Sequence, residues 1–433
     1  MNELEDDFFR REYGRLVAML SRRVGTRHLD LVEDAVQFAL AAAVETWPSS
    51  GGVENRSAWL FRVAHNHVVG ELRRLTRRAE LGLQNADLEP STVEGVQALL
   101  PGDVRDDVLR MLFACCNESI PVESQLVLAL KVLCGFDARE ISERLFTSEA
   151  NVYKRLGRAK SRLREVDLES DSLGSARLVS RLPAVQSVLY VLFTEGYLSS
   201  HAEGAIRRDL CDEALRLTEE LAQHPAGATP ETHALLALMR LHNARMPARQ
   251  DGIGGLMLLD EQDRTLWDTK EIEAGLCWLA RSASGTVFSR YHAEAGIAAE
   301  HCLARTLAET RWERIVECYA LLERSAPSPL HTLNRALAVA EWQGPQAGLD
   351  LLEGLAPPSW LLGSHLWTAV FADLHRRAGN VAEAQQYRTA ALAAAPSKLV
   401  REALARRLEI PAIPTRRGDV PPFHAEAVCE DLE

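Results

Sequence analysis

The chain has 433 residues, a formal net charge of −12, 47% hydrophobic and 25% charged residues, and a mean hydropathy of −0.13. That length allows two to four compact domains, each with its own core. No apolar run approaches the roughly 18 residues that cross a bilayer, and the acidic start Met1-Asn2-Glu3-Leu4-Glu5-Asp6-Asp7 is unlike a secretory signal, so a cytoplasmic protein is expected.

Apolar residues recur at three- and four-residue spacing nearly throughout, without sustained alternation, which predicts an all-α fold. In the first helical stretch, Asp30, Glu33, Asp34 and Gln37 fall at i, i+3, i+4 and i+7 as one polar face, with Val32, Val36, Ala39 and Leu40 turned inward. A merely solvated acidic face has the same spacing. After the break Pro48-Ser49-Ser50-Gly51-Gly52, a second helix runs from Asn55 to Arg74, with Trp59 expected in the core beside Leu60, Val63 and Ala64. Its His65 and His67 lie two apart on a helix, point in different directions and do not form a metal pair. A loosely patterned linker, 82–104, follows. Cys115 and Cys116 lie in an apolar helical stretch and read as core; the eight cysteines have no zinc spacing, and neither metal nor cofactor is expected.

The sharpest local signal runs from Gly135 to Leu156. Ala138, Ile141 and Leu145 share one face of a first helix, a short turn follows, and Ser148 can cap a second helix on which Val152 and Leu156 pack back. This predicts a helix-turn-helix, with Asn151, Lys154, Arg155 and Arg158 facing outward and the N-terminal end suited to a DNA major groove. Residues 150–164 carry six basic side chains (Lys154, Arg155, Arg158, Lys160, Arg162, Arg164) and no acidic one, a stripe suited to phosphates. An ordinary helical hairpin with a solvated basic face is the competing account. The acidity lies elsewhere: residues 1–164 hold 23 Lys+Arg against 24 Asp+Glu, leaving 26 against 37 for 165–433.

Beyond Ser172 the chain becomes alanine- and leucine-rich. Gly379-Asn380 through Pro396, Gly344-Pro345 and Thr310-Arg311-Trp312 recur at steps near 34 residues, predicting a helical solenoid that resembles tetratricopeptide repeats. The charged run Asp260-Glu261-Gln262-Asp263-Arg264, beside the glycine-rich 252–255, is better read as a structural ion-pair network than as an acid/base site. No nucleophile elbow, phosphate loop or dinucleotide fingerprint occurs, and no enzyme is expected. The proline-rich 409–433 reads as an extended or disordered tail.

The segment Thr147 to Lys160 resembles the recognition helix of the extracytoplasmic-function (ECF) sigma factors of RNA polymerase, with Gly157 departing from the pattern. Asp30 to Leu40 with Glu45-Thr46-Trp47-Pro48 resembles the helix that grips core polymerase, and Asn55 to Arg74 the element that melts and reads the −10 promoter sequence. The resemblance implies a region 2-like domain over 1–81, a linker over 82–104, a region 4-like domain over 105–168 and a tetratricopeptide-like extension over 175–408. It assigns Asp30, Glu33, Asp34 and Gln37 to core polymerase. It assigns Asn55, Arg62, Asn66, Arg73 and Arg74 to the melted −10 strand, with Arg77 and Arg78 on phosphates and the loop from Ser49 as a pocket for a flipped base. Ser148, Asn151, Lys154, Arg155 and Arg158 are assigned to −35 duplex DNA. The extension is expected to regulate the DNA-binding helices, its acidic surplus docking the basic stripe 154–164. The alternative is a helix-turn-helix regulator with a repeat sensor domain that does not bind polymerase.

Overall fold

The computed structural model describes residues 3–47, 53–80, 101–145, 147–165, 176–197, 206–251, 255–396 and 398–409. The start of the expected base pocket (49–52), most of the linker and most of the tail therefore lie outside the described residues. Among those described, the fold is helical, with one isolated bridge between Gln250 and Leu256. No helix among them is long and apolar enough to cross a membrane. The chain divides into two compact units, Met1–Leu192 with Pro225–Gly227, and Phe193–His224 with Ala228–Glu433.

The first unit opens with α1 (Glu3–Val24), α2 (Leu29–Thr46) and α3 (Arg56–Glu80), and continues through α4 (Pro101–Cys115), α5 (Val122–Cys134), the short α6 (Ala138–Arg144) and α7 (Glu149–Leu163). Val32, Val36 and Ala39 of α2 and Leu60, Ala64 and Val68 of α3 are buried at helical spacing, so each of these helices turns one apolar stripe inward, while α1 is buried all round from Leu16 to Ser21. A second set, Met111, Leu112, Phe113, Leu128 and Leu130, receives Val152, Leu156, Ala159 and Leu163 of α7. Cys115 and Cys116 belong to this core; burial pushes the Cys116 thiol up to about 12, so it stays protonated.

The two helical modules expected from the sequence share α1 as a common wall. A side chain on Gly14 would place its Cβ 1.8 Å from the carbonyl oxygen of Leu133, at the end of α5, and only hydrogen fits there. Arg22 reaches Asp107 of α4 at 2.6 Å. Arg10 holds Glu140 of α6 at 3.1 Å, with its guanidinium 5.5 Å from the Phe136 ring.

α8 (Ala176–Tyr197) spans the boundary between the units. The second unit continues through α9 (Arg208–Gln223), α10 (Pro230–Arg245), α11 (Thr269–Ser282), α12 (Arg290–Leu303), α13 (Trp312–Ser325), α14 (Pro329–Gln343), α15 (Pro345–Leu352), α16 (Ser359–Leu362), α17 (His365–Ala378), α18 (Val381–Ala394) and α19 (Lys398–Arg407). Gly344 ends α14 at φ 97° and Gly379 ends α17 at φ 83°, values that favour glycine, so the two glycines singled out by their spacing both close a helix before its antiparallel partner. Leu333, Leu337, Leu366, Val370 and Leu374 join Leu404 and Leu408 in one core.

The array returns on itself. Arg407 of α19 is hydrogen-bonded to Asp260, 147 positions earlier, and Arg406 donates to the carbonyl of Leu256 at 3.3 Å. The charged run 260–264 is thus structural: Glu261 accepts from the Leu258 amide at 2.9 Å, Asp263 from the Thr265 amide at 2.9 Å, and Arg264 donates to the carbonyls of His301 and Ala304 at 2.7 and 2.8 Å.

Candidate nucleic-acid interface

α7 starts where the chain supplies its own cap. Ser148 sits in extended backbone, and its Oγ accepts the Asn151 amide at 3.3 Å, relieving one of the unpaired N–H groups at the helix start. Asp137 and Glu140 cap α6 reciprocally, each side chain accepting the other's backbone N–H at 2.7 Å. That D-x-x-E pattern stood in the sequence and would have strengthened the helix-turn-helix reading.

With Val152, Leu156, Ala159 and Leu163 buried, the opposite side of α7 exposes Tyr153, Lys154, Gly157, Arg158 and Arg162. Lys154 and Arg158 stand clear for phosphate or base edges, while Arg155 is half-buried. Asn151 departs from the expected outward position: it is half-buried, and its amide donates to Thr147 Oγ1 at 2.7 Å, so part of its hydrogen-bonding capacity stabilises the turn. Ser148 is exposed with its oxygen engaged in the cap. Tyr153, 63% exposed, went unselected from sequence.

α3 is capped by Asn55, whose Oδ1 accepts the Ala58 amide at 2.9 Å. Leu60, Ala64 and Val68 point inward, leaving Arg62, Asn66, Arg73 and Arg77 exposed in one stripe, flanked by Arg74 and Arg78. Arg74 pairs with Glu71 one turn earlier, which still leaves the stripe strongly basic. Trp59, expected in the core, is half-buried and meets Trp47 edge-on at 5.8 Å. Trp47 in turn stacks on Phe9 at 5.5 Å and carries the Arg56 guanidinium 5.0 Å from its ring, making an aromatic wall at the start of α3. His65 stacks on Phe61 and His67 lies against Phe38, so the two rings serve different contacts.

The polar face of α2 is where the structure corrects the sequence most. Asp34 and Gln37 are exposed, beside Phe38 and Val44 at 50% and 45% exposure. Glu33 does not belong to an open face: it is 4% exposed, accepts the Tyr13 hydroxyl at 3.1 Å and pairs with Lys160 of α7. Asp30 accepts Lys160 Nζ at 3.0 Å and pairs with Arg164. Spacing alone put these four residues together; burial divides them into a closed pair and an open pair.

Electrostatics follow the geometry. Burial pushes the Asp30 carboxyl up, but the hydrogen bonds and charges of Lys160 and Arg164 outweigh it and hold the group below its ordinary value. Burial likewise lowers Lys160, and Glu33 with Asp30 more than restores it. Burial first, and then the Glu33 charge, raise the Tyr13 phenol far above its usual range, so it remains a donor. The cluster sets Lys160 and Arg164 against Asp30 and Glu33.

Comparison with known proteins matches the same segments. Residues 8–78 fit the model of sigma-70 region 2, residues 110–163 that of sigma-70 region 4, and residues 181–283 a family of unknown function (DUF6596). A Rhizobium meliloti (strain 1021) protein named "Uncharacterized protein R00370" is 35% identical over 362 residues, covering 83% of this chain and 85% of that protein. No solved structure matches the chain. With region 2 falling on α1–α3, region 4 on α4–α7, and that relative similar along most of both chains, the protein belongs to the sigma-70 family of RNA polymerase sigma factors, transcription initiation factors that direct polymerase to promoters rather than enzymes.

Proposed function

We propose that the protein is an ECF-type sigma factor acting in the cytoplasm, with α7 reading the −35 element as duplex, α3 reading the melted −10 strand, and the polar face of α2 (Asp30, Glu33, Asp34 and Gln37) gripping core polymerase. The observation that carries this reading is the pairing of two solvent-facing basic stripes, Lys154/Arg158 on α7 and Arg62/Asn66/Arg73 on α3, each backed by a buried apolar face within one unit. Basic helices of this kind supply affinity through phosphates, and base-edge or flipped-base contacts then supply sequence choice. Asp34 and Gln37, next to exposed Phe38 and Val44, combine a polar rim with apolar area, a composition suited to a protein partner. Residues 175–408 form, in this reading, a regulatory tetratricopeptide-like extension. Charge supports an intramolecular role for it, since the acidic excess of the chain lies beyond residue 164.

Run-off transcription on a promoter library with purified core polymerase is the direct experiment. Specific transcripts that depend on the protein are expected, each preceded by two shared sequence elements. Duplex DNA binding without any association with core polymerase would refute the proposal and leave an ordinary helix-turn-helix regulator.

A further inference from the structure

We infer that the first unit is a self-locked state in which the far end of the DNA-reading helix occupies part of the polymerase-gripping face of α2. Lys160 bridges Asp30 and Glu33, and Arg164 adds a second cation on Asp30. These are two of the four α2 residues assigned above to polymerase, so the inference rests on that assignment. A carboxylate already neutralised by Lys160 and 4% exposed cannot also meet a partner, so grip by polymerase and closure by α7 exclude one another.

Three further links make this a built contact. Arg22 with Asp107 and Arg10 with Glu140 fasten α1 to α4 and α6, and the missing side chain at Gly14 lets the end of α5 come flush against α1. The links join residues 10–33 to residues 107–164, and three of the four are ionic, which suits a lock that must open. Lys154 and Arg158 stay exposed while it is closed, so the device withholds α2 without hiding the outer face of α7. Polymerase, binding only the open form, draws the equilibrium toward it, and the apparent affinity is reduced by the fraction of molecules that are closed.

A zero-length carbodiimide cross-linker tests this on the full chain, because it joins an amine to a carboxylate, with loss of water, only when the two are in direct contact. Free protein is expected to yield a peptide joining Lys160 to Glu33 or Asp30, and saturating core polymerase without DNA is expected to abolish it. In parallel, Lys160→Met leaves both carboxylates in place and is expected to tighten core-polymerase binding about fivefold to tenfold. A cross-link that persists in the polymerase-bound complex overturns the lock while leaving the sigma-factor reading intact. So does its absence from the free protein, or unchanged affinity in a Lys160→Met variant that folds normally by circular dichroism. If the cross-link forms but the chain never binds core polymerase, the polymerase assignment itself fails, and the lock falls with it.

Discussion

Gly14 offers a substitution whose sign separates two physical accounts. In an open helix position, replacing glycine by alanine stabilises by about 1 kcal/mol, because alanine loses less backbone entropy on folding. At Gly14 the added Cβ would lie 1.8 Å from the Leu133 carbonyl oxygen and 2.7 Å from the carbonyl carbon, so α1 and α5 must separate by roughly 1.5 Å to restore ordinary contact. Both partners are helix backbone and cannot rotate away as a side chain would. A backbone-on-backbone clash this deep falls in the upper half of the overpacking range, about 2–3 kcal/mol, which exceeds the propensity gain of about 1 kcal/mol and leaves a net loss on the order of 1–2 kcal/mol. For a unit of this size that loss lowers the midpoint by roughly 2–8 °C. Gly157→Ala is the matched control, since a Cβ there meets nothing within 4 Å, and it should raise the midpoint by a few degrees. Calorimetry of the full chain, following the transition of the first unit, measures both. A Gly14→Ala protein as stable as the wild type, or more so, would refute the close approach of α1 and α5 and the shared wall built on it.

Ser148→Ala should destabilise the first unit by about 1 kcal/mol and weaken −35 binding in gel-shift titrations, because the Asn151 amide loses its acceptor at the start of α7. Arg158→Ala should reduce affinity for duplex DNA by about 1–3 kcal/mol if the guanidinium reads a base, with the loss confined to cognate sequence; an equal loss on all sequences with a shallower salt slope would reassign it to phosphate. In the second unit, burial lifts the Glu341 carboxyl to about 7, with Asp373 adding to the rise and Arg377 opposing it, while burial drops His365 to about 4. The signs oppose: between about 4.5 and 7 the folded state holds the Glu341 proton more tightly, so stability falls as pH rises, whereas between about 4 and 6.5 the unfolded state binds the His365 proton more tightly, so stability rises with pH. Each effect is of order 3 kcal/mol, so the Glu341 contribution offsets most of the His365 contribution between about 4.5 and 6.5. Glu341→Gln should leave the His365 slope unopposed, so stability rises with pH; parallel wild-type and variant pH profiles in urea melts would contradict the raised Glu341 carboxyl.

Much of the interface was legible because it depends on interactions between near neighbours in sequence. The core stripe of α7, the Ser148 cap and the exposed positions of Lys154 and Arg158 follow from helical periodicity and from a hydroxyl placed one residue before the helix. The stripe of Arg62, Asn66 and Arg73 follows likewise once Leu60, Ala64 and Val68 are taken as the inner face. Helix-ending glycines at 344 and 379 were legible because both positions take a positive φ that favours glycine, although their ψ values differ. Asn151 was misplaced for an equally local reason: its amide could turn back to Thr147, and periodicity says nothing about which partner a side chain selects.

The amino-acid sequence by itself determined that the chain is helical, where the helix-turn-helix lies and which faces of α3 and α7 carry charge, since each depends on residues within about four positions of one another. Tertiary structure alone decided that Glu33 is buried rather than part of an open acidic face, that Lys160 and Arg164 spend their charge on α2, and that Arg407 closes the second unit on Asp260. Those pairs lie 127 to 147 positions apart, where no periodicity reaches, and only the packing of whole helices brings them within hydrogen-bonding distance.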